Sequence, residues 1–295
     1  MFDKRLKYSS PFELDFVDSM VPILYESGLY KEADRLSNCG KKYSRYRCIN
    51  ILKHDHNQFY DFAFPYRCEQ RICPVCTRIR AKILRGEIEQ ILKSINKTKT
   101  NKFMHLTLTK NMFNVSNITP SKVRIFNENV RKLINLLYPK TKNCGALSIL
   151  EFGKNLSIHS HIIIFGPYRS QRLISKKWKE ITGDSHIVFI RSIQDQKIAI
   201  NYLLKYISKP PKFSDPNLYP QFLKAIRGVR KVHRYGIFYN FKVKKREPMR
   251  CPICGGSIRF LSTVYETDHD FRTGFLREYD QVLEELGLNL KIERN

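Results

Sequence analysis

Tyr202 and Tyr206 stand four apart in "NYLLKYISK", each followed three residues later by a lysine, Lys205 and Lys209. On a helix that spacing stacks both phenols on one side, a turn apart. A phenol is a nucleophile when something stabilises its anion, since with a pKa near 10 only ~0.1% is ionised at pH 7. The plain reading is a packed aromatic pair beside a solvated charged face. Upstream, "SIHSHIIIF" alternates His159 and His161, which a strand presents on one face. The preceding apolar run, "ALSILEFG", carries Glu151. If the two runs pair as a hairpin, one register sets Glu151 directly opposite His159, and every second register keeps all three side chains together. A carboxylate and two imidazoles form a mixed oxygen and nitrogen donor set with room for water and substrate oxygens. It suits Mn2+ or Mg2+, with Zn2+ possible. The competing reading is a hydrogen-bonded histidine pair on a sheet surface.

The cysteines form a second chemistry. "YRCEQRICPVCTRIRAK" places Cys68, Cys73 and Cys76 in a C-x4-C-x2-C cluster that opens a helix. Zinc takes four thiolate or imidazole ligands in a tetrahedron, and a C-x2-C turn presents two of them. Cys39, in "NCGK", is the first choice for the fourth ligand, Cys48 the second, and His54 and His56 are further candidates. Such a site contributes ~10 kcal/mol or more to folding. "RCPICGG" is another knuckle, Cys251 and Cys254, with no second pair downstream. His269 or a spare N-terminal cysteine could complete a possible second zinc site. The alternative throughout is buried free thiols, which is the reading for Cys144.

These groups need a frame. "KFMHLTLTK" (102–110) alternates, with His105, Thr107 and Thr109 on one face, and reads as a strand. A helix spans 121–138 with Ser121 as its N-cap. The two histidine and glutamate strands follow, turning around Lys154–Leu156. "SQRLISKKWKEIT" is a helix closed by Gly183. "HIVFIRSI" is a strand, and a helix from about Asp195 to Ser208 ends at Pro210-Pro211. The order β-α-β-β-α-β-α predicts an α+β fold, a ferredoxin-like or RRM-like antiparallel sheet with helices on one face, plus a small zinc-binding module. Before it come a helical segment (1–38), the cysteine-rich module (39–76), and a helix from about Val75 to Ile95. The catalytic domain spans 77–211. The remainder, 212–295, is basic, carries the second knuckle and ends in a charged helix.

The whole chain has 295 residues and a formal net charge of +26. Such an excess calls for a polyanion, and nucleic acid is the default partner. The N-terminus lacks the apolar core of a signal peptide, and no apolar run is long enough to span a membrane. An intracellular, cytoplasmic protein with no membrane partner is expected, and there eight cysteines argue for metal over disulfides. No GxxxxGK[ST] stretch is present, so no built-in ATPase or helicase is expected.

Three motifs in order, "HLTLT", "HSHIIIF" and "YLLKYISK", resemble the HUH endonucleases, specifically the rolling-circle replication initiators of small plasmids and single-stranded DNA phages. The cysteine segment upstream is similar to one that precedes the catalytic domain in many plasmid initiators, so the resemblance covers about 39–209. The Y-x-x-K-Y-x-x-K pattern is its most specific part. Ser160 departs from it, standing where the family has a bulky hydrophobic residue. The resemblance implies a site-specific DNA endonuclease and strand transferase that forms a 5′-phosphotyrosyl intermediate. It implies His159 and His161 as metal ligands, Glu151 as an acidic third ligand, and Tyr206 as the initiating nucleophile, because a glutamate often takes the place of Tyr202 in one-tyrosine relatives. Lys205 and Lys209 would favour the phenolate or hold the phosphate. The implied partners are single-stranded DNA at a replication origin and the host helicase and polymerase, on a prokaryotic mobile element. Two-tyrosine transposases share the pattern. A non-enzymatic zinc nucleic-acid-binding protein is the rival of a different class. The basic stretch 228–246 is expected on the DNA backbone.

Overall fold

The computed structural model describes residues 11–54, 60–93, 95, 101–110, 118–139, 144–193, 198, 201–202, 206, 210–239, 250–251 and 253–265. The chain divides into two compact units, residues 1–75 with 245–295, and residues 76–244. In the first, the helical lead-in forms α1 (Pro11–Glu26) and α2 (Tyr30–Ser37), which bury Val17, Met20, Leu24, Ala33 and Leu36. The cysteine-rich stretch, where no period is legible, folds as β1 (Lys42–Cys48) and β2 (Asp61–Pro65). A late strand, β8 (Ile258–Tyr265), completes an antiparallel sheet in the order β2-β1-β8. The long helix that starts at the cysteines is α3 (Pro74–Lys93).

The second unit holds β3 (Lys102–Thr109), α4 (Pro120–Leu137), β4 (Gly145–Phe152), β5 (Ile158–Gly166), α5 (Gln171–Thr182), β6 (Val188–Ile193), α6 (Leu218–Ala225) and β7 (Val232–Gly236). Its five strands lie in the order β6-β3-β5-β4-β7, all neighbours antiparallel. The first four in that order have the ferredoxin-like arrangement expected of β-α-β-β-α-β. The helix caps follow local chemistry. Ser170 Oγ accepts from the Leu173 N–H, and Gly183 closes α5 at φ +82, a conformation that suits glycine. Ser121 is not the N-cap of α4. Thr119 Oγ1 accepts from the Lys122 N–H at 3.3 Å, and Pro120 takes the first turn, where a missing N–H leaves no bond unmade.

Alternation sorts the sheet into two faces. On one lie Met104, Leu106, Leu108, Leu150, Ile162 and Ile164, each at most 1% exposed. Helices α4 and α5 meet through Phe126 and Trp178, and α6 brings Phe222 against Phe152. Trp178 also donates its indole N–H to Thr109 O at 3.0 Å, which ties α5 to the end of β3. The opposite face is divided. At one end Phe103, Leu147, Ile149, Ile163 and Phe165 pack with Ala81, Leu84, Ile88 and Ile91 of α3. At the other end it carries His105, Thr107, Thr109, Glu151, His159 and His161. Burial on both faces explains why β5 reads as "HIIIF" and not as a half-polar strand.

Candidate functional site

The β4–β5 hairpin takes the register that sets Glu151 opposite His159. β3 lies on the other side of β5 and sets Thr107 opposite His161 and Thr109 opposite His159. Each threonine meets the Nδ1 of its histidine, Thr109 Oγ1 at 3.1 Å from His159 and Thr107 Oγ1 at 3.3 Å from His161. His105 Nε2 adds a contact to His161 Nδ1 at 3.3 Å. Both Nδ1 atoms are therefore engaged from β3, and both Nε2 atoms turn the other way. His161 Nε2 lies 2.6 Å from Glu151 Oε2, and His159 Nε2 lies 3.0 Å from Ser157 Oγ. Ser157 fits because Gly153 has no Cβ. One built there would fall 2.2 Å from Ser157 Oγ and 3.4 Å from His159 Nε2. Ser160 points to the far face, where its hydroxyl meets Ser148 at 2.8 Å.

Burial, then His161 and Arg191, pull the His105 imidazole down to about 3, and burial also lowers His159. Neutral imidazoles are the form that binds metal. The donor chemistry of Glu151, His159 and His161 fits a hard divalent ion. A metal-binding histidine usually has its second nitrogen held by a neighbour, as the threonines hold these. In this structure the three donors are taken up by each other and by Ser157, a closed arrangement that a cation would have to exchange.

Ile198, Asn201, Tyr202 and Tyr206 are helical. The Tyr206 ring stacks on His161, centroids 3.5 Å apart and planes within 13°, and Tyr202 lies 4.1 Å from His105. The Tyr206 hydroxyl donates to the Tyr202 hydroxyl at 3.0 Å. Both phenols thus lie over the histidine and glutamate face. Tyr206 also packs on the core beneath α3, so the packed-aromatic reading holds for its ring. Burial, the bond to Tyr202 and the Glu151 carboxylate push the Tyr206 hydroxyl well above the ordinary phenol range. Lys205 and Lys209 lie outside the described residues. A lysine that sequence reasoning did not single out, Lys231, donates to Tyr206 O at 3.1 Å. Its only signal was the basic stretch 228–246.

The cysteines fall into two groups, each able to hold a metal ion. Cys39, Cys68, Cys73 and Cys76 are all buried, with their sulfurs within 4.8 Å of one another. Cys39 and Cys73 Sγ are 3.7 Å apart, and a tetrahedral ion with Zn–S near 2.3 Å sets such pairs about 3.8 Å apart. Cys39 thus joins the knuckle as expected. Cys48 does not, because the β1–β8 pairing carries it to Cys254, 3.6 Å away. His54 likewise joins Cys48, Cys251 and Cys254, its Nε2 lying 3.2 Å from Cys254 Sγ and 3.5 Å from Cys251 Sγ. Burial pushes the Cys48 thiol up to about 12. Burial acts the same way on Cys254, but the Gly256 N–H, Cys48 and His54 outweigh it and bring that thiol to about 7. His56 and His269 lie outside the described residues. Cys144 is a buried residue of the other unit, as expected.

No helix among the described residues is long and apolar enough to cross a membrane. No curated protein and no solved structure matches the chain. The family described as replication-associated protein, of the ORF2 type, matches residues 101–211, a span that runs from β3 past Tyr206 and holds Glu151, His159 and His161. That segment is similar to replication-associated proteins, and the likeness supports a role in replication.

Proposed function

We propose that the protein initiates rolling-circle replication by nicking and rejoining single-stranded DNA through a tyrosine linked to the 5′-phosphate. The observation that carries this reading is the stacking of Tyr206 on His161, with Glu151 bonded to the same imidazole, inside the segment that matches replication-associated proteins. Glu151, His159 and His161 would hold Mn2+ or Mg2+. When bound, the ion supplies positive charge against the nonbridging phosphate oxygen. Tyr206 Oη attacks phosphorus in line, its proton passing to water. The P–Oη bond forms, the bond to the 3′ oxygen breaks, and a free 3′-OH leaves as a primer. The phosphotyrosine keeps the energy of the broken bond, so rejoining needs no ATP. Tyr202, one turn away, serves as the second nucleophile that resolves the regenerated junction. Lys205 and Lys209 stabilise the phenolate or hold the phosphate. Cys39, Cys68, Cys73 and Cys76 bind a structural zinc, and Cys48, His54, Cys251 and Cys254 bind another. The test is incubation with labelled single-stranded origin DNA, with Mn2+ or without divalent ion. A metal-dependent covalent adduct is expected. No adduct from wild type, or equal adduct from a Tyr202→Phe/Tyr206→Phe protein, defeats the proposal.

A further inference from the structure

The histidine and glutamate face is covered by α3 at one end and by the tyrosines at its centre, but its rim along β6 is open. β6 pairs with β3 so that Phe189 lies opposite Thr107 and Arg191 opposite His105. Paired residues share a face. Phe189, Thr107 and His161 therefore form one row across three strands, and the aromatic ring sits about 10 Å from the histidine strand. Ile193, on the same face, is buried with the residues under α3. From there outward Arg191 is exposed, Phe189 is 52% exposed and Ile187 is 56% exposed. Ile187 O accepts from the Thr109 N–H, so the ladder continues to the end of the strip. Arg191 makes no ion pair among the described residues.

A lone exposed aromatic needs no explanation. An exposed aromatic and an unpaired cation two residues apart, in the same row as a catalytic face, form a recurring device. The ring stacks a base and the cation takes the adjoining phosphate. The strong positive charge of the chain fits the same occupant. We infer that Phe189 and Arg191 form a binding strip for single-stranded DNA beside the active face, with Phe189 stacking a base next to the scissile phosphate and Arg191 holding its backbone. The inference rests on the nicking reading for the strand it names, yet it is tested by binding alone.

The probe is a fluorescent oligothymidine, titrated by anisotropy without added divalent ion. Phe189→Ala is expected to weaken binding about tenfold, while Phe189→Trp retains it. The chain has a single tryptophan, Trp178, which is fully buried, so an indole at position 189 reports directly. Its emission should be quenched by the oligonucleotide while that of wild type stays unchanged. Arg191→Gln should lower the slope of log affinity against log salt by about 0.7. Both side chains are exposed, and a thermal melt of each variant checks the fold. If wild type binds while the variants bind equally well and the indole at 189 is silent, the strip is overturned and the nicking reading stands. Binding with these losses but no covalent adduct at the origin fails the nicking reading and keeps the strip. Absence of binding by wild type, or preference for oligouridine, overturns the strip as a DNA site.

Discussion

The two cysteine groups and the glutamate–histidine face are built from the same kinds of donor, yet they stand in different states. In each cysteine group four ligand atoms lie within 4.8 Å of one another. On the active face the donors hold other partners, His161 with Glu151 and His159 with Ser157 and Thr109. The difference follows from what each set can do without a metal. Buried thiols make poor hydrogen bonds, so nothing competes with their convergence on one point. A carboxylate and imidazoles satisfy each other well, at 2.6 Å in this case. A structural site is thus committed to its ion, while a catalytic site of this composition can close on itself and open for metal and phosphate together.

The largest effect expected from this contrast is on folding. Structural zinc supplies ~10 kcal/mol or more, comparable to the whole stability of a domain. Cys73→Ser should therefore lose one zinc by elemental analysis and abolish the cooperative melt of the unit that holds β1, β2 and β8. Wild-type melting and metal content in that variant would break the comparison. Glu151→Gln should leave zinc content unchanged and shift stability by no more than about 1 kcal/mol.

Chemistry should follow the opposite order. Tyr206→Phe is expected to reduce covalent adduct formation on the order of 10³-fold or more while stability is kept. Tyr202→Phe should spare the first adduct and impair the joining step. The Thr109 hydroxyl fixes His159 without touching substrate, so Thr109→Val should raise the metal concentration needed for half-maximal adduct about tenfold, and excess Mn2+ should restore the rate. A rate that metal cannot restore would mean that Thr109 acts otherwise than through His159.

The active face was legible because its determinants are local. Alternation fixed which side chains share a face, and the short Gly153–Ser157 connection left the hairpin little freedom of register. The second cysteine group was not legible as a set. Cys48 and Cys254 are 206 residues apart and meet through the pairing of β1 with β8, which no periodicity announces. β7 escaped for a related reason, since all its residues are half-buried and show no apolar alternation. Thr119 was readable in principle, because Pro120 marks the first turn of α4 more firmly than Ser121 marks its cap. The closing of Glu151 onto His161 lies beyond sequence altogether, because spacing identifies donors and says nothing of which partner each one holds.

The smallest effect separates the first unit's metal from the rest of its cohesion. Asp61 of β2 lies opposite Arg47 of β1 and takes bonds from both Arg47 and Arg45, at 2.7 and 2.6 Å. Burial alone would raise its carboxyl, but the two guanidiniums outweigh it and hold the group below the usual range. A carboxylate whose folded pKa is depressed stabilises the fold above its unfolded pKa, and that contribution fades as pH falls through the folded value. Asp61→Asn should therefore destabilise the unit by about 1 kcal/mol at pH 7, a figure kept low because both arginines are partly exposed. Below about pH 3.9, where an unfolded aspartate also takes up its proton, wild type and variant should converge. Denaturant melts of the zinc-loaded protein at pH 7 and at the lowest pH that retains zinc give the two differences. A gap that stays constant across that range would mean that the β1–β2 pairing owes nothing to the Asp61 charge.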